Sequence, residues 1–286
     1  MSSAEMSASM PLTVYVLVLA FVSGTVFGSF FNCMAWRIVH GESILYGRSH
    51  CAECGHPLAA KDLVPIFSYL ALHGKCRYCG KKIAPRYTAV ELICGTAFVI
   101  TFLRFGLTVH TATALILLCM LLTLSLVDLD MMIIPDRFIV TMAGLWAVTT
   151  PFLCQEDKAA SALTGSEMLL SKGIFSVTGI AGANLKGMTG GAAIGGGMLL
   201  LSLIFDKVTG KESMGGGDVK LFLIAGLFLG PWTGLLCLLM ACVIGLAFAV
   251  AKKEAKIPFG PAISAAFFIC FLAGQNIVNA YLGLFL

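Results

Sequence analysis

Long apolar segments, each of a length that can cross a lipid bilayer, recur along this chain of 286 residues. Hydrophobic residues make up 58% of the sequence and charged residues only 12%, and the mean hydropathy is +0.93. A bilayer core takes about 20 mostly apolar residues per helix. These figures exclude a soluble protein and predict an all-α polytopic membrane protein.

Eight membrane spans can be drawn from the apolar runs. They cover residues 12–36, 88–106, 110–128, 137–154, 188–206, 218–230, 231–251 and 261–284. No Lys or Arg precedes the first run, and it continues into Phe27-Gly28-Ser29-Phe30 without a small-residue cleavage site, so we expect a retained helix. The predicted domains are an N-terminal transmembrane helix over 1–36, a soluble insert over 37–87 and a membrane core over 88–286.

Positive charge is concentrated on one side of the predicted membrane. The connections 37–87, 129–137, 207–220 and 252–260 fall on that side and hold 15 of the 19 Lys and Arg residues. Cytoplasmic loops are enriched in these residues, so this side is predicted to be cytoplasmic and both termini to lie outside. The net charge of +4 therefore indicates topology and contact with anionic lipid, with no nucleic acid expected. Residues 155–187 are expected to form a long outer loop.

The soluble insert carries two C-x-x-C pairs, Cys51 with Cys54 and Cys76 with Cys79. Their spacing is close to that of zinc ribbons, in which each pair supplies two thiolates to a tetrahedral metal. An insert of about fifty residues has a small core, so a structural metal would help it to fold. Two disulfides are an alternative that a reducing cytoplasm disfavours, and a redox pair is another. We predict a structural zinc site. The other seven cysteines lie in or beside apolar runs and are expected to be inert core thiols.

Two short acidic motifs lie at the ends of predicted spans. Asp128-Leu129-Asp130 ends the third span, and Gly215-Gly216-Gly217-Asp218-Val219-Lys220 opens the sixth. The third span runs inward and the sixth runs outward, so Asp128 and Asp218 are expected at the same cytoplasmic depth. Charged residues in membrane helices are costly unless they pair or function.

A pair of aspartates that share a proton can hydrolyse a peptide without a covalent intermediate, because one carboxylate activates water while the other acid donates a proton. The glycines before Asp218 would let a substrate backbone come close. Two alternatives remain open: the carboxylates could cap helices or mark the membrane boundary, or Asp128 and Asp130 could hold a divalent metal.

Several further motifs make the chain similar to the type IV prepilin leader peptidases, membrane aspartic proteases of the GxGD type. The resembling segments are Gly28 to Cys33 with Arg37, Pro65 to Leu70, Gly74 to Gly80, Arg86-Tyr87 with Glu91, Asp128 with Ile134-Pro135-Asp136, Gly215 to Lys220, and Pro258 to Pro261. They span nearly the whole chain. One departure is Ala52, where many relatives have proline between the first two cysteines.

The resemblance implies that Asp128 and Asp218 are the catalytic pair and that Asp130 and Asp136 are accessory. It also implies a bacterial inner-membrane enzyme that cleaves the basic leader of prepilins or pseudopilins at the cytoplasmic face. The new N-terminal residue would then be methylated with S-adenosylmethionine. No G-x-G-x-x-G after a strand predicts that cofactor independently, so its pocket is not located.

Local charge suggests how the two aspartates divide their roles. Asp128 is expected at a helix C-terminus, which disfavours negative charge, and Asp218 at a helix N-terminus with Lys220 close by. We therefore expect an ionised Asp218 and a protonated Asp128. Glu42, just after the first span, is either a methyl-transfer or leader-binding carboxylate or a solvated loop residue. Glu91 begins the second span and is expected to complement the helix N-terminus.

Glycines between Gly187 and Gly197 are expected to serve close helix packing rather than phosphate binding. A zinc-regulated transporter or membrane scaffold is the competing functional class, but its polar site would lie near the bilayer midplane. A peptidase without methyltransferase activity is the third possibility.

Overall fold

The computed structural model describes residues 3–44, 46–164, 180–210, 214–252 and 258–284. This part of the chain is helical, and its β-structure is limited to two isolated bridges in the insert. The α-helices are α1 (Ser3–Val39), α2 (Phe67–Ala71), α3 (Arg86–Phe105), α4 (Val109–Met131), α5 (Asp136–Thr164), α6 (Ile180–Thr209), α7 (Gly216–Lys252), α8 (Gly260–Ile269) and α9 (Gln275–Leu282). A π-helical segment, Cys270–Gly274, joins α8 to α9.

Seven helical segments among the described residues are long and apolar enough to cross a membrane. They are Thr13–Val39, Arg86–Phe105, Val109–Met131, Asp136–Cys154, Ala181–Thr209, Gly216–Ala251 and Gly260–Leu282. The predicted all-α membrane fold is confirmed. The count is one fewer than the eight spans drawn from the sequence, because two of those spans fall within α7.

Helix α7 is broken at Gly230, whose φ of 73° and ψ of −179° are not helical, and Pro231 follows. A straight helix of this length would extend for about 55 Å, well beyond a hydrocarbon core of about 30 Å. A Cβ atom on Gly234 would lie 3.6 Å from the Cα atom of Gly226, although a continuous helix separates residues eight positions apart by about 12 Å. The chain therefore folds back at Gly230 and forms two arms, 216–229 and 231–252.

The chain divides into two compact units, Met1–Thr111 and Ala112–Leu286. In the second unit α4 is the most enclosed membrane helix, and side chains such as Leu117, Leu121 and Leu124 are almost completely buried. The tightest packing there joins α6 to α7 through glycines, as the sequence predicted. A Cβ on Gly195 would lie 2.7 Å from the Cα of Leu223, and one on Gly191 would lie 3.1 Å from the side chain of Leu227. Small residues at these positions allow the two backbones to approach.

The expected outer loop over 155–187 is shorter than predicted. Helix α5 continues to Thr164 and α6 begins at Ile180, so both ends of the expected loop are helical. Residues 155–163 are rich in Ala, Glu, Gln, Lys and Leu, which favour helix. The remaining part of the predicted loop, 165–179, lies outside the described residues.

The first unit contains α1, α3 and the insert between them. Helix α1 reaches Val39, three residues beyond its predicted end. Glycines again set the helix contact, since a Cβ on Gly24 would lie 2.8 Å from the Cα of Gly95 and one on Gly28 would lie 3.0 Å from the Cα of Glu91. This contact brings the C-terminal end of α1 and the N-terminal end of α3 together, next to the insert.

Candidate functional site

Asp128 lies in the last turn of α4 and is only 4% exposed. Its Oδ2 atom accepts a hydrogen bond from the backbone N–H of Gly260 at 2.9 Å. Gly260 is the first residue of α8, so the donor belongs to a helix N-terminus, where backbone N–H groups lack helical partners and favour an anionic acceptor. The bond ties the end of α4 to the start of α8 and leaves Oδ1 for another partner.

Asp218 lies in the first turn of α7 and is half-buried. The turn before it is closed by a hydrogen bond from the N–H of Asp218 to the carbonyl of Gly215 at 3.0 Å. Gly217 packs against the loop that follows α4, where a Cβ would lie 2.8 Å from the Cβ of Ile134. The second unit thus brings both aspartates to one end of its helices.

The loop from Met132 to Pro135 connects α4 to α5 and contacts the second acidic motif through Ile134. Met132 has a φ of 54°, which is uncommon for a residue with a side chain, and Ile134 is buried. Asp136 then begins α5, and its Oδ1 lies 2.6 Å from the Nζ atom of Lys220. The ion pair links the start of α5 to that of α7.

This ion pair corrects one expectation about charge. Lys220 was expected beside Asp218, where it would favour the ionised carboxylate, but its ammonium group pairs with Asp136. The N–H of Gly260 also gives Asp128 a donor that the sequence did not predict. The argument from Lys220 for an ionised Asp218 is therefore wrong, and only the helix N-terminus still supports it.

The insert of the first unit brings four cysteines together. The Sγ atoms of Cys51, Cys54, Cys76 and Cys79 all lie within 4.8 Å of one another, and all four thiols are free. Zinc with Zn–S bonds of about 2.3 Å requires sulfur atoms about 3.8 Å apart in a tetrahedral site. The cluster therefore has the donor set and the approximate size of a tetrahedral zinc site.

Both pairs of cysteines use the same backbone turn. The N–H of Gly55 donates to the carbonyl of Cys51, and the N–H of Gly80 donates to the carbonyl of Cys76, each at 2.9 Å. Gly55 and Gly80 have φ values of 69° and 71°, a conformation that glycine adopts without strain. A backbone N–H donated by Cys79 lowers the pKa of the Cys76 thiol to about 7. The turns thus orient the sulfur atoms, and the second turn favours the thiolate of Cys76, the form that a metal binds.

The two glutamates that the sequence left open have different surroundings. Glu42 is partly exposed and lies 3.7 Å from His50. Glu91 is only 8% exposed, and its Oε2 accepts a hydrogen bond from the N–H of Ile66 at 2.8 Å. Glu91 therefore holds the insert against α3 and does more than complement the helix N-terminus.

These features define a polytopic membrane protein with two aspartates at one end of its second unit and a tetracysteine insert in its first. Comparisons with known proteins agree with this class of protein. Residues 22–105 match the bacterial Peptidase A24 N-terminal domain, and residues 115–250 match the type IV leader peptidase family. The chain belongs to the type IV leader peptidase family.

Curated relatives support this membership over nearly the whole length. A type 4 prepilin-like proteins leader peptide-processing enzyme of Escherichia coli is 32% identical over 86% of this chain and 90% of its own. Prepilin leader peptidase/N-methyltransferases of Stutzerimonas stutzeri and Bacillus subtilis are 30% and 29% identical, over 99% and 93% of this chain and 98% of their own lengths. No solved structure matches the chain.

Proposed function

We propose that this chain removes the leader peptide from type IV prepilins and pseudopilins with Asp128 and Asp218 as its catalytic pair, and then methylates the new N-terminus. The supporting observation is that motifs far apart in sequence bring the buried Asp128 and the half-buried Asp218 to one end of the second unit, where Gly217 packs against Ile134. Family membership provides the peptidase class and the names of the relatives provide the two activities.

The aspartate pair hydrolyses the leader bond by general acid–base catalysis. One carboxylate takes a proton from a water molecule, which attacks the scissile carbonyl, and the protonated partner donates to the departing amine. The N–H of Gly260 holds Oδ2 of Asp128, so Oδ1 is the oxygen oriented for the water or the shared proton. Gly215 and Gly216 leave room for the substrate backbone beside Asp218, since a Cβ on Gly216 would meet no atom within 4 Å.

The site faces the cytoplasm in this proposal. The same end of the second unit carries Arg137 and Lys220, and the connections assigned to this side hold most of the positive charge of the chain. A prepilin then places its basic leader in the cytoplasm and its apolar stem in the bilayer, so the membrane contributes to recognition. A soluble peptide that lacks the apolar stem is expected to be cleaved much more slowly, and equal rates would contradict this orientation.

Zinc has a structural role in the proposed enzyme. Cys51, Cys54, Cys76 and Cys79 would hold it and so close the insert at 37–87, whose small size leaves it little apolar core. Four sulfur ligands leave no coordination position for a substrate. The membrane core at 88–286 supplies the peptidase.

S-adenosylmethionine would supply the methyl group for the amine that cleavage exposes. This cofactor follows from the methyltransferase named in the relatives.

The test is mass spectrometry of a prepilin incubated in membranes that contain the protein, with and without S-adenosylmethionine. We expect loss of the leader in both cases and one added methyl group only with the cofactor. Asp128→Asn and Asp218→Asn should each abolish cleavage while the protein remains folded. Asp130→Asn is the matched control, since this exposed carboxylate lies two residues from Asp128 and should retain most activity. Cleavage that survives in either catalytic variant would refute the assignment.

A further inference from the structure

A cavity of about 740 Å³ lies in the first unit, between the ends of α1 and α3 and the insert. The residues that line it include the aromatic residues Trp36 and Tyr69, the basic residue Lys82 and the acidic residue Glu91. Small-molecule sites typically enclose roughly 300–1,000 Å³. The cavity is therefore large enough for an organic cofactor and carries aromatic, cationic and anionic groups together.

Hydrogen bonds between different segments fix the wall of the cavity. Arg37 is only 7% exposed, and its guanidinium donates to the carbonyl oxygens of Gly47 at 2.9 Å and Ser43 at 3.2 Å. The side-chain amide of Asn32 donates to the carbonyl of Tyr87 at 3.0 Å. These bonds fix the first part of the insert to α1 and α1 to α3, so the wall is preformed. Preformed sites lose less entropy when a ligand binds.

Glu91 is the feature of this wall that points to a particular kind of ligand. It is more than nine-tenths buried, and among the described residues its only hydrogen bond is the one from the N–H of Ile66. No cationic side chain of the described residues pairs with it. The two other carboxylates of the wall are already paired, Asp62 with Arg77 and Glu53 with Lys81. A buried carboxylate without a cation is costly, so this site favours a positively charged ligand.

We propose that this cavity binds S-adenosylmethionine, with the sulfonium beside Glu91. The inference rests on the methyltransferase half of the proposed function. The adenine ring matches the aromatic surfaces of Trp36 and Tyr69, and the amino-acid carboxylate of the cofactor matches Lys82. A basic leader peptide fits less well, because four of the wall's side chains are Arg or Lys. An anionic lipid headgroup would leave Glu91 without a partner.

The charge at Glu91 can be tested by comparing two ligands that differ by one methyl group. S-adenosylmethionine carries the sulfonium charge, whereas S-adenosylhomocysteine has a neutral thioether. Glu91→Gln keeps an oxygen that can accept from the N–H of Ile66 but removes the negative charge. Calorimetry on the full-length protein in lipid nanodiscs should show affinity for S-adenosylmethionine weakened about tenfold or more, the scale of one partly buried charge pair. The affinity for S-adenosylhomocysteine should stay at the wild-type value.

Asp206→Asn is the control, because this carboxylate lies in α6 of the second unit and is not among the residues that line the cavity. It should leave both affinities unchanged. Ser29→Trp is the second variant, since Ser29 lines the cavity from α1 and a bulky ring there would fill it. It should lose both ligands.

Four results would overturn the inference. Equal weakening of both ligands in Glu91→Gln would show a structural role for the carboxylate, and unchanged affinities in Ser29→Trp would exclude the cavity. If the wild type methylates a cleaved pilin while both variants bind S-adenosylmethionine normally, the cofactor site lies elsewhere and the proposed function stands. A wild type that cleaves but neither binds nor methylates would instead refute the methyltransferase function, and this inference with it.

Discussion

Replacing Gly260 by alanine should impair peptide cleavage without unfolding the protein. A Cβ atom at this position would lie 2.6 Å from Oδ2 of Asp128 and 3.0 Å from its Cγ. These separations are too short for non-bonded carbon contacts. Either the Asp128 carboxylate must rotate away or the start of α8 must shift, and each change breaks the hydrogen bond from the N–H of Gly260.

The size of the effect follows from that hydrogen bond. Bonds to charged groups contribute about 1.5–3 kcal/mol, and each 1.36 kcal/mol of activation free energy changes a rate about tenfold. If the bond persists in the transition state, kcat/KM for leader cleavage should fall about 10- to 150-fold in Gly260→Ala. The assay is the initial rate of leader removal in proteoliposomes, measured beside the thermal unfolding midpoint.

Gly196→Ala provides the matched control. Gly196 lies in α6, and a Cβ there meets no atom within 4 Å. Alanine at this position should leave cleavage unchanged and favour the helix slightly. A wild-type kcat/KM in folded Gly260→Ala would refute the reasoning. A loss of activity that is matched by a lower unfolding midpoint would show that Gly260 serves packing rather than the orientation of Asp128.

Three further predictions concern charges and the metal. Lys220→Met should leave the acid limb of the pH–rate profile in place, and a shifted limb would place Lys220 back beside the catalytic pair. In a double-mutant cycle with Asp136→Ala, the coupling free energy of unfolding should be about 1 kcal/mol or less, because this ion pair is exposed. Cys76→Ser should reduce bound zinc from one atom per chain to a fraction, as elemental analysis of the purified protein would show, and full retention would exclude the cluster as the zinc site. The hydrogen bond from Arg77 holds the pKa of Asp62 below its ordinary value. This pair therefore stabilises the insert at neutral pH and loses that contribution as the pH falls below about 4. Asp62→Asn should destabilise the insert at pH 7 and make its stability less sensitive to acid, which limited proteolysis at a series of pH values would measure.

The membrane fold was predictable because it depends on local composition. A run of about 20 apolar residues forms a spanning helix almost regardless of its neighbours. The two spans predicted at 218–230 and 231–251 correspond to the two arms of α7, because Gly230 and Pro231 break the helix wherever they are placed. The length of the outer loop was predicted less well, since its first residues favour helix without being apolar.

The site was predictable in part. Alternating directions of the spans were enough to expect Asp128 and Asp218 at one end of the membrane core. Which groups surround them was not predictable, because this depends on how far side chains reach between helices. Lys220 lies two residues from Asp218 in sequence, but its long side chain reaches Asp136 at the start of α5. The N–H of Gly260 comes from a helix that begins 132 residues after Asp128.

The sequence by itself determined the membrane class, the two acidic motifs and the two cysteine pairs, because each depends on residue types at short spacing. Only the tertiary structure decided that Gly260 donates to Asp128 and that Lys220 pairs with Asp136. It also decided that Glu91 is buried beside a cavity and has no cationic partner among the described residues. These are contacts between segments distant in the chain, set by glycines that let helices approach and by the folding back of α7. Spacing along a sequence reports which groups are available, whereas burial and neighbours decide what charge each group can carry.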